Sequence, residues 1–399
     1  MKVSVTLRRR QLLAAPALLA VPALLLPYRG RAADTPFRIG FLASYTGISG
    51  VNGPGFDAAI ALVMRERGDT IAGRKVEVLK RDTTGPAPDV TRRLAQELIV
   101  RDKVDILAGT DFTPNAIAAG GISTQAKVPL FVVNAATTGI LGKNPYMVRF
   151  GFTTAQIAAP LAEWAVQNGV KSVFTLASDY GPGIEASKVF NKTFTDKGGT
   201  LAGNIGLPLS SPDFSAYVQR VADAKPDAVF AFAPSGEQPI TLMRTMHDAG
   251  LLAKLKLLAT GDLVEESVLD KIGEAALGAI TSYDYSDAHD SPTNKKFVAG
   301  FKELAPKGVR PNFMAVACYD VFNKIYDVAG AQGGKIDPDK TIELLKGAKW
   351  ESPRGPVLLE DDRDLSQNVY IRRVERVNGT LQNIEFKTYP MVPAPPTLT

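Results

Sequence analysis

From residue 37 onward, short β-branched or uniformly apolar runs alternate with longer stretches whose apolar positions recur at helical spacing. Residues 37–43, 75–81, 104–108, 129–133 and 146–150 read as strands, the second marked by alternation at Val76 and Val78. Between them, 58–66, 89–102 and a stretch ending at Lys127 read as helices. Val90, Leu94, Leu98 and Ile99 share one face of the 89–102 helix. The series then restarts, with helices at 155–168, 185–197, 214–224 and 238–249 and strands at 170–177, 200–207, 227–233, 256–259 and 277–282. Helices at 294–304, 313–328 and 338–347 follow in succession. A hairpin at 369–377 and 381–388 closes the chain, turned at Asn378-Gly379. Strands spaced by helices imply right-handed crossovers and mostly parallel sheets. The expectation is therefore an α/β protein of two similar three-layer αβα lobes. The late helices return to the first lobe (34–152 and 284–354) and the hairpin to the second (153–283 and 355–399). Three connections, near 150–153, 282–286 and 352–356, would act as a hinge that permits closure around a ligand.

One turn is used twice. Gly53-Pro54-Gly55-Phe56-Asp57-Ala58 and Gly181-Pro182-Gly183-Ile184-Glu185-Ala186 share Gly-Pro-Gly, an apolar residue, an acid and Ala. Each follows a strand-like run and opens a helical one. Proline early in a helix forfeits no hydrogen bond, and an acid in the first turn suits the positive end of the helix dipole. Each copy alone is equally readable as an ordinary helix cap. Together they suggest equivalent strand-to-helix turns in two facing halves. Gly-x-Gly-x-x-Ala also matches a dinucleotide fingerprint, but that motif places its glycines directly after the strand, and some ten residues separate Ala43 from Gly53.

The formal charge of +5 misleads. Residues 1–33 carry six cations (Lys2, Arg8, Arg9, Arg10, Arg29 and Arg31) and no acid, so the chain from Asp34 onward stands at −1. That leaves no basic excess for nucleic acid. The leading segment reads as a cleaved export signal, with a basic start, an apolar stretch at 12–26 and small residues around Ala32. Arg9-Arg10-Gln11-Leu12-Leu13 resembles the twin-arginine type, and Sec export fits as well. Cys318, the sole cysteine, allows no intramolecular disulfide and reads as a buried inert thiol. With two histidines, His247 and His289, a His/Cys metal site has almost no material.

Enzyme chemistry finds little support. Gly47-Ile48-Ser49-Gly50-Val51 fails the nucleophile-elbow pattern at its last position, no phosphate-loop motif occurs, and His247-Asp248 reads as a surface pair. No catalytic step and no cofactor are expected. A nucleotide-dependent enzyme survives only through the Gly-Pro-Gly copies.

In its order of anchors the chain resembles the periplasmic solute-binding proteins of the leucine/isoleucine/valine type, which serve ABC importers. The anchors are Tyr45-Thr46-Gly47 with Gly53, Asp82 with Pro86 and Val90, Gly109 with Thr113, Ala135-Ala136-Thr137, and Asp179-Tyr180-Gly181. The resemblance covers nearly all of the chain after the export segment. It implies a monomeric periplasmic receptor that binds a small solute between two lobes and delivers it to an inner-membrane permease. Its further implications are that Thr113 and Thr137 hold the ligand carboxylate with the Ala135 carbonyl nearby, that Tyr180 covers the ligand from the second lobe, and that Asp262 meets an ammonium group. Thr113 and Thr137 can also be read as helix caps, and Asp262 as the cap of a helix beginning near Val264. Two departures stand out: Asn52 occupies a position where an aromatic often sits, and Asp111-Phe112 intrudes where small or Cys residues are usual. The expected ligand is a hydrophobic or branched-chain amino acid. The alternatives are an aromatic acid or amide, for which Phe112, Phe152, Tyr283 and Tyr285 would supply a pocket, or a sensory role for the same fold.

Overall fold

The computed structural model describes residues 35–209 and 213–395; the export segment expected at 1–33 lies outside them. The first half lays down strands β1 (Phe37–Ala43), β2 (Thr70–Ile71), β3 (Arg74–Asp82), β4 (Ile106–Gly109), β5 (Leu130–Val132) and β6 (Met147–Arg149). They form one sheet in the order β2-β3-β1-β4-β5-β6, parallel except where β2 folds back on β3. Between them run α1 (Gly53–Arg67), α2 (Pro88–Val100) and α3 (Thr113–Ala126). Apolar residues occupy both faces of the central strands, as a sheet covered on each side requires. Leu42, Leu107 and Met147 meet Leu94, Leu98 and Ala119 of α2 and α3.

The second half follows with α4 (Thr154–Gln167), β7 (Ser172–Ser178), α5 (Gly181–Asp196), β8 (Thr200–Leu207), α6 (Ser215–Ala224), β9 (Ala228–Phe232), α7 (Glu237–Asp248), β10 (Lys256–Thr260), α8 (Glu266–Ile272) and β11 (Ile280–Tyr283). Thr153 and Gln156 open α4 with a reciprocal capping box. The chain then returns through α9 (Pro292–Leu304), α10 (Phe313–Ala331) and α11 (Pro338–Leu345), each capped by a side chain, Ser291, Asn312 and Asp337 respectively. α10 packs on the first sheet. Phe41 of β1 packs on Phe56 of α1 at 5.5 Å and on Phe322 of α10 at 5.9 Å between ring centroids.

Four strands finish the chain: β12 (Lys349–Ser352), β13 (Gly355–Leu359), β14 (Leu365–Val377) and β15 (Thr380–Val392). They extend the second sheet, ordered β12-β13-β14-β11-β10-β9-β7-β8, with β15 on β14. The expected hairpin forms at Asn378 (φ 50°) and Gly379 (φ 82°), the left-handed pair that a two-residue hairpin turn needs. One boundary differs from expectation. Residues 349–352, expected in the first lobe, pair antiparallel with β13 and so enter the second sheet, which moves the third crossover forward to residues 346–348. The other two crossovers run between β6 and α4 and between β11 and α9.

Buried charge is concentrated at these crossovers. Arg149, fully buried at the end of β6, grips Asp364 through two contacts of 2.6 and 2.7 Å. Arg354, between β12 and β13, reaches Asp284 after β11 and Asp320 in α10, each at 3.0 Å. Each arginine therefore ties together segments of the two lobes.

Candidate ligand-binding cleft

In open parallel sheets the carboxyl ends of the strands leave loops free to bind. Here the two sheets turn those ends toward each other. The segment 44–52 follows β1, 110–112 follows β4, 133–138 follows β5, Asp179-Tyr180 follows β7, 233–236 follows β9 and 261–265 follows β10. Two non-glycine residues hold left-handed backbone in these loops, Thr110 (φ 59°) and Ala135 (φ 64°). Strain of this kind collects at binding sites, where the surroundings over-determine the backbone.

The first lobe brings three of the expected residues together. Thr113 and Thr137 touch through their hydroxyls at 3.0 Å, and the Thr137 amide donates to the Thr113 hydroxyl at 3.3 Å. Thr113 is the first residue of α3 and caps nothing; Phe112 holds the cap position without a side-chain bond. Behind them the Ala135 and Thr137 carbonyls accept from the Arg149 guanidinium at 2.6 and 2.8 Å. The same arginine thus holds both the hinge and this loop.

Tyr180, at the start of α5, faces Phe112 across the gap with ring centroids 6.5 Å apart, and leans on Phe232 at 6.2 Å. Phe152 and Tyr283 meet at 5.0 Å and both pack on Phe313 at the hinge. Tyr285 turns instead into the core, donating to Asn294 at 3.0 Å.

Asp262 lies in the turn after β10 and is 4% exposed. Burial pushes its carboxyl up from 3.8 to about 7, although the hydroxyls of Thr260 and Tyr283 beside it pull the other way. Its Oδ2 has no hydrogen-bond partner among the described residues. It is not a helix cap: Glu265 caps α8, accepting from the Ser267 amide at 2.8 Å.

Asn52 sits at the lobe boundary. Its amide donates to Ser235 of the second lobe at 3.4 Å, and its carbonyl oxygen accepts from Asn312 at 2.7 Å. Asn312 and Ser235 both donate to Glu265, at 3.0 and 2.7 Å, and Ser49 donates to the Ser235 carbonyl at 2.8 Å. A side chain at Gly236 would run into the Ile48 carbonyl, so glycine permits this approach of the two backbones. On the opposite flank, Glu185 of α5 accepts from the Thr138 amide at 2.9 Å and from the Thr138 hydroxyl. The lobes are therefore in contact on both flanks of the cleft, a closed arrangement. Sequence reasoning missed Ser49, Ser235, Glu265 and Asn312 in this role. Glu185 did carry a signal, as the acid of the repeated turn. Its counterpart Asp57 stays within the first lobe, bound to Tyr45 at 2.8 Å and Lys80 at 2.7 Å.

Two lobes closing over a gap lined with hydroxyls, rings and one buried acid are the architecture of a solute receptor, and residues 36–380 match the family model described as periplasmic binding protein. The chain belongs to that family: it is a periplasmic solute-binding receptor, without a catalytic step, that presents a small ligand to an ABC permease. Among its relatives is the Leu/Ile/Val-binding protein homolog 6 of Brucella melitensis, 41% identical over 355 residues, which span 88% of this chain and 91% of the relative. Among solved structures it is similar to an ABC-transporter solute-binding protein of Rhodopseudomonas palustris BisB5 in complex with 3,4-dihydroxybenzoic acid (45% identity, TM-score 0.87, covering 90% of this chain and 99% of the other). A second, from Rhodopseudomonas palustris HaA2 in complex with p-hydroxybenzoic acid, shows 42% identity and a TM-score of 0.88, covering 90% and 98%.

Proposed function

We propose that the ligand is an aromatic carboxylic acid of the hydroxybenzoate type, in place of the branched-chain amino acid expected from the sequence. The observation that carries this reading is the pairing of Phe112 with Tyr180 across the cleft, which sets an aromatic side chain from each lobe at the place where a ligand ring would lie. Relatives above 40% identity that were solved with hydroxybenzoates support it. In this reading the Thr113 and Thr137 hydroxyls and the first turn of α3 receive the carboxylate, since helix N-termini and hydroxyls hold an anion without a buried cation. Phe112 and Tyr180 enclose the ring. Asp262 accepts a hydrogen bond from a ring hydroxyl, a role that suits a buried carboxyl whose Oδ2 lacks a donor. Asn52, already bound to Ser235 and Asn312, and the Ala135 carbonyl close the site around the ligand. The lobes, divided at the three crossovers, close because bound ligand touches both. Residues 1–33 direct export and are removed.

Calorimetric titration with 4-hydroxybenzoate, benzoate and leucine tests the reading. Binding of 4-hydroxybenzoate is expected, with Thr137→Val weakening it by about 1–3 kcal/mol through the lost hydrogen bond. Leucine binding without any response to either benzoate would overturn it.

A further inference from the structure

The two flanks of the cleft are joined in the same sense. At one, the Ser49 hydroxyl donates to the Ser235 carbonyl at 2.8 Å, the Asn52 amide to the Ser235 hydroxyl at 3.4 Å, and the Asn312 amide to Glu265 Oε2 at 3.0 Å. At the other, the Thr138 amide donates to Glu185 at 2.9 Å and the Thr138 hydroxyl donates to the same carboxylate. Ser49, Asn52 and Thr138 follow strands of the first sheet, and Asn312 caps α10, which packs on that sheet. Ser235 and Glu265 follow strands of the second sheet, and Glu185 lies in α5 between two of them. Each contact therefore runs from a donor in the first lobe to an acceptor in the second, and each flank ends on one buried carboxylate. Asn312 is the most fully engaged of the donors. Its Oδ1 accepts from the Ala315 amide at 3.0 Å, and its two amide hydrogens go to Asn52 Oδ1 at 2.7 Å and to Glu265. Glu265 takes its other donors, Ser235 and Ser267, from its own lobe. All of these bonds join protein groups, so closure gains them whatever solute lies in the cleft.

We propose that Asn312 is a positioning residue that sets ligand affinity without touching ligand. By linking the cap of α10 to Glu265 it holds a share of the ligand-free receptor closed. A solute that binds the closed form meets only that share, so its apparent affinity scales with it. Asn312 thereby multiplies the affinity for every solute by one factor, while the residues lining the cleft choose among solutes. The inference does not depend on which solute is bound.

Asn312→Asp tests this. Aspartate caps α10 as well as asparagine does, but it brings no donor and sets a like charge beside Glu265. Combining it with Glu265→Gln restores a donor-to-acceptor contact in the reverse sense. Spin labels on cysteines introduced at exposed Ile117 of α3 and exposed Leu201 of β8 report the separation of the lobes without ligand; Cys318 is buried and stays unlabelled. The wild type should show a short-distance, closed population, reduced about tenfold in Asn312→Asp and at least partly recovered in the double variant. A wild type without that population, or an equal share in wild type and Asn312→Asp, overturns the inference. A loss that the reversed pair leaves unrecovered marks a fold defect and overturns it as well. Calorimetry with 4-hydroxybenzoate and benzoate should show both weakened in Asn312→Asp by the same factor of about ten, and unequal factors count against the proposal decisively. A wild type that binds neither probe refutes the hydroxybenzoate reading alone, and the ligand-free distances still decide this one.

Discussion

Replacing Asp262 with Asn should make the protein more stable and a poorer receptor. Burial raises this carboxyl from 3.8 to about 7. Each tenfold change in proton affinity corresponds to about 1.4 kcal/mol, so keeping the ionised form inside the fold above pH 7 costs up to about 4 kcal/mol. The sign follows from counting protons. Between the unfolded value near 3.8 and the folded value near 7, the folded chain holds a proton that the unfolded chain has released. The stability contributed by this group therefore declines as pH rises through that window and is level above it. Asn has nearly the same shape and never ionises. Asp262→Asn should raise the urea midpoint most near pH 8, and the gap from wild type should shrink toward pH 4. The same change should weaken 4-hydroxybenzoate binding by about 10- to 100-fold, because a hydrogen bond to a charged acceptor is lost. Urea unfolding of both proteins across that pH range, without ligand, provides the measurement. A stability difference that does not grow between pH 4 and pH 8 would refute the argument that burial, only partly offset by the Thr260 and Tyr283 hydroxyls, governs Asp262.

Two further substitutions address the frame around the cleft. Arg149→Met leaves Asp364 buried without its partner and frees the Ala135 and Thr137 carbonyls; a loss of about 3–5 kcal/mol in urea unfolding is expected, and a loss under 1 kcal/mol would contradict the hinge role. Glu185→Gln weakens the clasp on Thr138, so ligand should leave faster, by about tenfold, in stopped-flow release, with little change in the entry rate. An unaltered release rate would show that the Glu185 contact does not hold the lobes shut.

The strands and helices were legible where the pattern was local. Phe37–Ala43, Ala228–Phe232 and the Asn378-Gly379 turn match expectation because a largely apolar run or a left-handed turn pair declares itself over a few residues. β12 escaped because Lys349-Trp350-Glu351-Ser352 mixes charge with one aromatic, and only its pairing with β13 makes it a strand. α8 was legible only as a helix beginning near Val264, since seven residues are too few for helical spacing to fix its ends. The cleft divided the same way. Thr113, Thr137 and Tyr180 follow β4, β5 and β7, strand ends that periodicity finds. The contacts among Asn52, Ser235, Glu265 and Asn312 join loops 30 to 260 residues apart, and no local motif marks them. Asp111 was visible as a departure from the family pattern, but a sequence does not display its burial.

The arrangement of Phe322 against Phe41 has a bearing on how the chain reaches its destination. A polypeptide emerging amino end first makes β1 and α1 early, yet the rings that seal them belong to α10, which comes nearly three hundred residues later. Until that helix arrives, the first lobe presents a bare aromatic wall and cannot lock. Delayed assembly of this kind keeps a nascent chain pliable during synthesis and hands the finishing of the first domain to the moment when the whole molecule is present.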